Sequence, residues 1–154
     1  MIKLLLLEDD HVLAESLIEL LESENFDIVH VLNSQKALDE TFLQKFDLLL
    51  LDVNVPLFNG FELLKNLRDS GDKTPAIFLT ALNDIASLSK GFDVGADDYI
   101  KKPFDFDELL IRINAILKKQ YHTYSNELTL DDFHFFIEKN ELYKSNIFIP
   151  LTPY

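Results

Sequence analysis

The 154-residue chain contains no cysteine. Disulfides and thiolate metal sites are therefore excluded, which fits a reducing compartment. It also lacks a long apolar run. The longest near the N-terminus, Leu4 to Leu7, is cut off by Glu8, Asp9 and Asp10. That is too short for the h-region of a signal peptide, and no stretch approaches the roughly 20 apolar residues of a membrane span. A cytoplasmic protein without a membrane partner is expected. Basic residues are scarce: 14 Lys and Arg against 27 Asp and Glu, a net charge of −13. Such a chain repels nucleic acid and anionic lipid unless a local basic patch intervenes, and none stands out. What remains is an ordinary globular balance, 47% hydrophobic and 27% charged, which excludes a disordered or collagen-like chain.

Short apolar runs at 2–7, 28–32, 48–51, 76–79 and 98–100 read as strands. The leucine runs do not alternate, which suits strands covered on both faces. Amphipathic stretches separate them. Leu13, Leu17, Leu20 and Leu21 share a face of the first helix, and Ala37, Leu38, Thr41 and Phe42 give the second. Phe61, Leu64 and Leu67 mark the third, residues 84–92 the fourth, and Leu109, Ile113, Ile116 and Leu117 the fifth. Five strands alternating with five helices over residues 1–120 predict a doubly wound α/β domain. Such sheets bind ligands beyond the carboxyl ends of their strands, at the switch point in strand order.

Acidic residues follow two of those strands: Glu8, Asp9 and Asp10 after the first, Asp52 after the third. Asp10 suits a helix cap. Glu8, Asp9 and Asp52 form an all-oxygen set suited to Mg²⁺ or a similar hard ion. Aspartate can accept a phosphoryl group as an acyl phosphate. Lys102, after the fifth strand, supplies positive charge, and Thr80, ending the fourth, supplies a hydroxyl donor. Lys101 reads as a solvated neighbour. His11, His30, His122 and His134 lack metal-ligand spacing and read as structural or surface residues.

The ordered pieces Leu-Leu-Glu-Asp-Asp at 6–10, Asp-Leu-Leu-Leu-Leu-Asp at 47–52, Val55-Pro56 with Asn59-Gly60, Phe-Leu-Thr-Ala at 78–81 and Gly-Ala-Asp-Asp-Tyr-Ile-Lys-Lys-Pro-Phe at 95–104 resemble a two-component response regulator receiver domain. The resemblance implies a flavodoxin-like fold with parallel strand order 2-1-3-4-5. It implies that Asp52 accepts phosphate from a sensor histidine kinase, and that Glu8, Asp9, Asp52 and the backbone carbonyl of Asn54 hold Mg²⁺ or Mn²⁺. Thr80, Ala81 and Lys102 would surround the phosphoryl group, Tyr99 would be the switch aromatic, and the bond before Pro103 would be cis. The protein is then a signalling switch rather than an enzyme. Leu82, near the path of attacking water, would slow hydrolysis of the acyl phosphate.

The polar segment 118–125 reads as a linker, with the boundary between the domains placed at 121–125. Residues 126–154 read as short antiparallel strands. They resemble the opening sheet of the winged-helix DNA-binding domain in OmpR/PhoB-like regulators, here incomplete, so promoter DNA would be a partner only of a full-length protein. The same subfamily implies a homodimer through the fourth helix, fifth strand and fifth helix, with Lys90, Asp93, Asp97, Asp98, Glu108, Arg112 and Lys119 on that face. Asp98 with Arg112 matches a subfamily pair. Leu88 stands where a basic partner for Glu108 is usual, and Ala115 where an arginine usually meets Asp97. Three other readings compete: a stand-alone receiver acting by protein contacts, a haloacid-dehalogenase-type phosphohydrolase suggested by Asp52-Val53-Asn54-Val55, and a flavodoxin-type FMN carrier. The second lacks an aspartate at Asn54 and has its motif after the wrong strand. The third lacks a Ser/Thr/Gly-rich phosphate loop after the first strand.

Overall fold

The computed structural model describes residues 1–81 and 85–125. Leu82 and the stretch read as strands at 126–154 lie outside the described residues. Five strands and five helices alternate: β1 (Ile2–Leu7), α1 (His11–Ser23), β2 (Phe26–Val31), α2 (Ser34–Leu43), β3 (Leu48–Leu51), α3 (Gly60–Asp69), β4 (Ala76–Thr80), α4 (Ile85–Asp93), β5 (Asp98–Lys101) and α5 (Phe106–Ser125). All pairings are parallel, in the order β2-β1-β3-β4-β5, which is the expected flavodoxin-like arrangement.

The leucine runs are buried because both faces of the sheet are covered. Leu48, Leu49, Leu50 and Leu51 are all completely inaccessible. Their side chains alternate between two apolar layers. Leu4, Leu6, Leu48 and Leu50 meet Leu17, Leu21, Leu109 and Ile113 from α1 and α5. Leu5, Leu7, Leu49 and Leu51 meet Ala37, Phe61, Leu64 and Leu67 from α2 and α3. Each buried leucine contributes about 1.5–3 kcal/mol of transfer free energy.

Local signals set the helix starts. Asp10 caps α1, its carboxylate accepting from the amides of Val12 and Leu13. Asn33 caps α2. Asn59 and Glu62 form a reciprocal capping box at α3.

Some sequence expectations shift. Leu20 and Phe42 are exposed rather than core, because the buried stripes of α1 and α2 are narrower than the apolar pattern. The second strand lies at Phe26–Val31 and leaves Leu32 outside, half exposed. Helix α5 continues to Ser125, so the polar segment at 118–125 is helical rather than an irregular linker. Lys118, Lys119 and Gln120 are good helix formers, and no Gly or Pro interrupts the run.

Candidate functional site

Strand order reverses between β1 and β3, and the carboxyl ends of these two strands carry Glu8 and Asp52. The register aligns Leu7 with Leu51, and the Asp52 amide donates to the Leu7 carbonyl at 3.0 Å, so the acidic residues start from one level of the sheet. Glu8, Asp9 and Asp52 each offer a carboxylate oxygen within 4.8 Å of the other two. Glu8 and Asp52 are buried and Asp9 is exposed. Two buried carboxylates this close repel unless a cation joins them. Lys102 does so: its Nζ donates to Glu8 Oε1 at 2.6 Å and to Asp52 Oδ2 at 3.0 Å.

Backbone anchors fix this geometry. The Lys102 amide donates to the Thr80 carbonyl at 2.8 Å, which ties the lysine to the end of β4. The Lys102–Pro103 peptide is cis. Glu8 Oε2 accepts from the Asp10 amide at 3.1 Å, and Asp52 Oδ1 from the Asn54 amide at 3.2 Å. Gly60 lets α3 approach from below: a Cβ there would overlap the Asp52 carbonyl oxygen and lie 3.0 Å from Val53 Cα.

Burial pushes the Glu8 carboxyl above its ordinary value. Hydrogen bonds from Lys102 and the Asp10 amide oppose this, and the charge of Asp52 adds to it. For Lys102, burial alone would disfavour the charged form. The hydrogen bonds to Glu8 and Asp52 outweigh it, so the ammonium is held above its ordinary value. The donor set is all oxygen, carries negative charge and has one exposed member, which suits a hard divalent ion that keeps some of its water. Among the described residues, these three are the acidic group with metal-site geometry.

Residues 4–114 match the response regulator receiver domain family. The chain belongs to that family. It is 47% identical over 112 residues to the transcriptional regulatory protein CrdR of Helicobacter pylori, covering 72% of this chain and 53% of that protein. It is 41% identical over 129 residues to the transcriptional regulatory protein CiaR of Streptococcus pneumoniae, covering 84% and 57%. The chain thus spans about half the length of these curated relatives. The receiver domain of the Francisella response regulator 1452 superposes with a TM-score of 0.75 at 32% identity, covering 78% of this chain and 99% of that one. DrrB of Thermotoga maritima, an OmpR/PhoB homologue, superposes at 0.71 with 31% identity, covering 78% and 54%. These relatives agree with the OmpR/PhoB-like resemblance of the sequence. The phosphohydrolase and FMN-carrier alternatives gain no support from them, and Asp52 follows the third strand in sequence, not the first.

In the receiver, the other expected residues lie as follows. Thr80 is completely buried at the end of β4, and Ala81 next to it is exposed. Asn54 is exposed two residues beyond Asp52. Tyr99 is half-buried, its ring 6.4 Å from that of Phe78, which in turn meets Phe61 edge-on at 5.1 Å. Gly91 of α4 faces these rings, and a Cβ there would lie 3.2 Å from Tyr99 and 3.3 Å from Phe78.

On the α4–β5–α5 face, Arg112 pairs with Asp98 of its own chain through two bonds of 2.9 and 3.0 Å and reaches Glu108 at 3.3 Å. Asp97, expected to lack an arginine, has Arg68 of α3 at 3.8 Å and accepts from the Ala76 amide. Lys90 sits 5.5 Å over the Phe61 ring.

Two side chains make contacts near the site that the sequence reading did not identify: Ser34, which it did not single out, and His30, which it read only as structural or surface. Ser34 is completely buried; its hydroxyl donates to the Pro56 carbonyl and accepts from the Phe58 amide, bracing the loop after Asp52. His30 bonds the Glu8 carbonyl at 2.8 Å. Neither contact leaves a spacing pattern, because both depend on which strand ends become neighbours.

Proposed function

We propose that Asp52 is the phosphoacceptor of a two-component signalling switch. One observation carries this reading: the carboxylates of Glu8, Asp9 and Asp52 converge within 4.8 Å while Lys102 Nζ already touches the acceptor at 3.0 Å. An oxygen of Asp52 attacks the phosphorus of a phosphohistidine on a sensor kinase. The new O–P bond forms as the P–N bond breaks, and the imidazole leaves with its electron pair. Glu8, Asp9, Asp52 and the Asn54 carbonyl would hold Mg²⁺ or Mn²⁺, which would neutralise phosphoryl charge when bound. Lys102 exchanges a carboxylate partner for a phosphoryl oxygen, and Thr80 donates its hydroxyl to another, with the small side chain of Ala81 beside it.

Motion of Thr80 toward phosphate frees space that Tyr99 occupies. Its movement against α4 repacks the face that includes Lys90, Asp93, Asp97, Asp98, Glu108, Arg112 and Lys119, and the receiver dimerises there. The energy comes from contacts made to phosphate in one state and not in the other. The protein acts as a cytoplasmic switch, and its self-catalysed phosphotransfer and dephosphorylation serve signalling. Two relatives are transcriptional regulators and this chain spans about half their length. Residues 126–154 then begin the DNA-binding part of a longer regulator, whose partner is promoter DNA.

Light scattering before and after treatment with acetyl phosphate and Mg²⁺ tests the switch. The wild-type chain should change from monomer to dimer, and Asp52→Asn should remain monomeric with its melting intact. Equal dimerisation of Asp52→Asn would refute the phosphate-driven mechanism.

A further inference from the structure

His30 lies in β2, the edge strand, paired only with β1. Its partner in register is Leu6, so its side chain stands on the α1–α5 side of the sheet, above Ile28. From there Nε2 reaches the backbone oxygen of Glu8 at 2.8 Å. A carbonyl oxygen only accepts, so Nε2 carries the proton and the ring donates. The Glu8 amide donates to the Val31 carbonyl at 3.2 Å. Both backbone groups of Glu8 are therefore tied to consecutive residues of β2.

This matters for the residue that follows. Asp9 is exposed, and among the described residues its carboxylate makes no hydrogen bond or ion pair. Nothing attached to the side chain aims it at the pocket, so its aim comes from the peptide plane between Glu8 and Asp9. The oxygen of that plane is the atom His30 holds. On the far side, the Asp10 cap fixes the chain into α1. Asp9 is a short stem between two clamps, one at each end.

We infer that His30 is a positioning residue for the acidic pocket, holding the Glu8–Asp9 peptide so that the exposed Asp9 carboxylate faces a divalent ion. The inference rests on the metal reading given above. Outer residues that orient metal ligands commonly affect affinity by one to two orders of magnitude when removed.

Two substitutions separate the donor from the ring. His30→Phe keeps a planar ring and loses the N–H. His30→Gln loses the ring and keeps an amide N–H at similar reach. Mn²⁺ binding to the 154-residue chain, followed by the loss of the free-ion electron paramagnetic resonance signal, reads the effect directly. Wild type should bind and Asp9→Asn should lose most of that binding. His30→Phe should bind on the order of tenfold more weakly, and His30→Gln within about threefold of wild type. Thermal melting without metal serves as the second readout, since a purely structural role would lower the melting temperature of His30→Phe and leave the affinity of its folded fraction unchanged. Equal affinity of His30→Phe and wild type, or equal weakening in both variants, overturns the inference. No binding by wild type, or undiminished binding by Asp9→Asn, instead removes the metal reading, and the inference with it.

Discussion

Lys102 sets the charge balance of the pocket, because it neutralises two buried carboxylates from opposite sides of the β1–β3 switch point. Replacing it with methionine leaves both acids facing each other without a cation. In metal-free buffer at pH 7, Lys102→Met is expected to lower stability by about 1–3 kcal/mol, the usual cost of stranding a buried polar partner. The pH dependence follows from Glu8. Its folded-state pKa lies above the ordinary 4.5, so its contribution to stability is full below 4.5 and is lost as pH rises through the folded value. Protonation also removes the charge that Lys102→Met strands. The penalty should therefore shrink as the pH falls through the Glu8 titration toward 4.5, which urea midpoints at the two pH values measure. A penalty equal at both would show that Glu8 is not its source. For Lys102 itself the raised pKa contributes stability below 10.5 that is lost as pH rises through the higher folded value. Glu8 and Asp52 were legible in the sequence because each directly follows an apolar strand run, where a doubly wound sheet binds its ligands, and stands in the ordered motifs that resemble the receiver family. His30 was not, because its bond is to a backbone oxygen 22 residues away and only the β1–β2 register creates it.

At the scale of elements, α3 packs tightly against the end of β3. Gly60 begins α3 directly against the backbone of Asp52 and Val53, and its amide donates to the Val53 carbonyl at 2.9 Å. Gly60→Ala must push rigid backbone rather than a side-chain tip. A loss of about 1–3 kcal/mol is expected, as for other overpacked cores, together with slower phosphorylation as Asp52 shifts. Chemical denaturation and a phosphorylation time course check the pair; wild-type stability would show that α3 slides away without cost. The Arg112–Asp98 pair, in which a single nitrogen, Nη1, is shared between both carboxylate oxygens, is partly solvated, with the arginine side chain 40% exposed. Arg112→Ala should cost under about 1 kcal/mol, so a large loss of stability would assign that pair a core role it does not have here. Strand positions were readable because unbroken leucine runs have few folded destinations other than a doubly covered sheet. The end of α5 was harder to read: polar composition suggests a linker, yet lysine and glutamine extend a helix as readily as they solvate a loop.

The whole molecule joins the acidic pocket to a face more than one element away. Thr80 and Lys102 leave adjacent strands, and β5 carries Tyr99 toward Phe78 and Gly91 of α4. The proposed phosphate-driven association would run through that connection, and it depends on one chemical event. The most direct test is the intact mass of the chain after incubation with acetyl phosphate, with and without Mg²⁺, for wild type and Asp52→Asn. One added phosphoryl group on wild type alone, and only with the metal, is the expected result. An adduct on Asp52→Asn, or none on wild type under either condition, would contradict Asp52 as the acceptor.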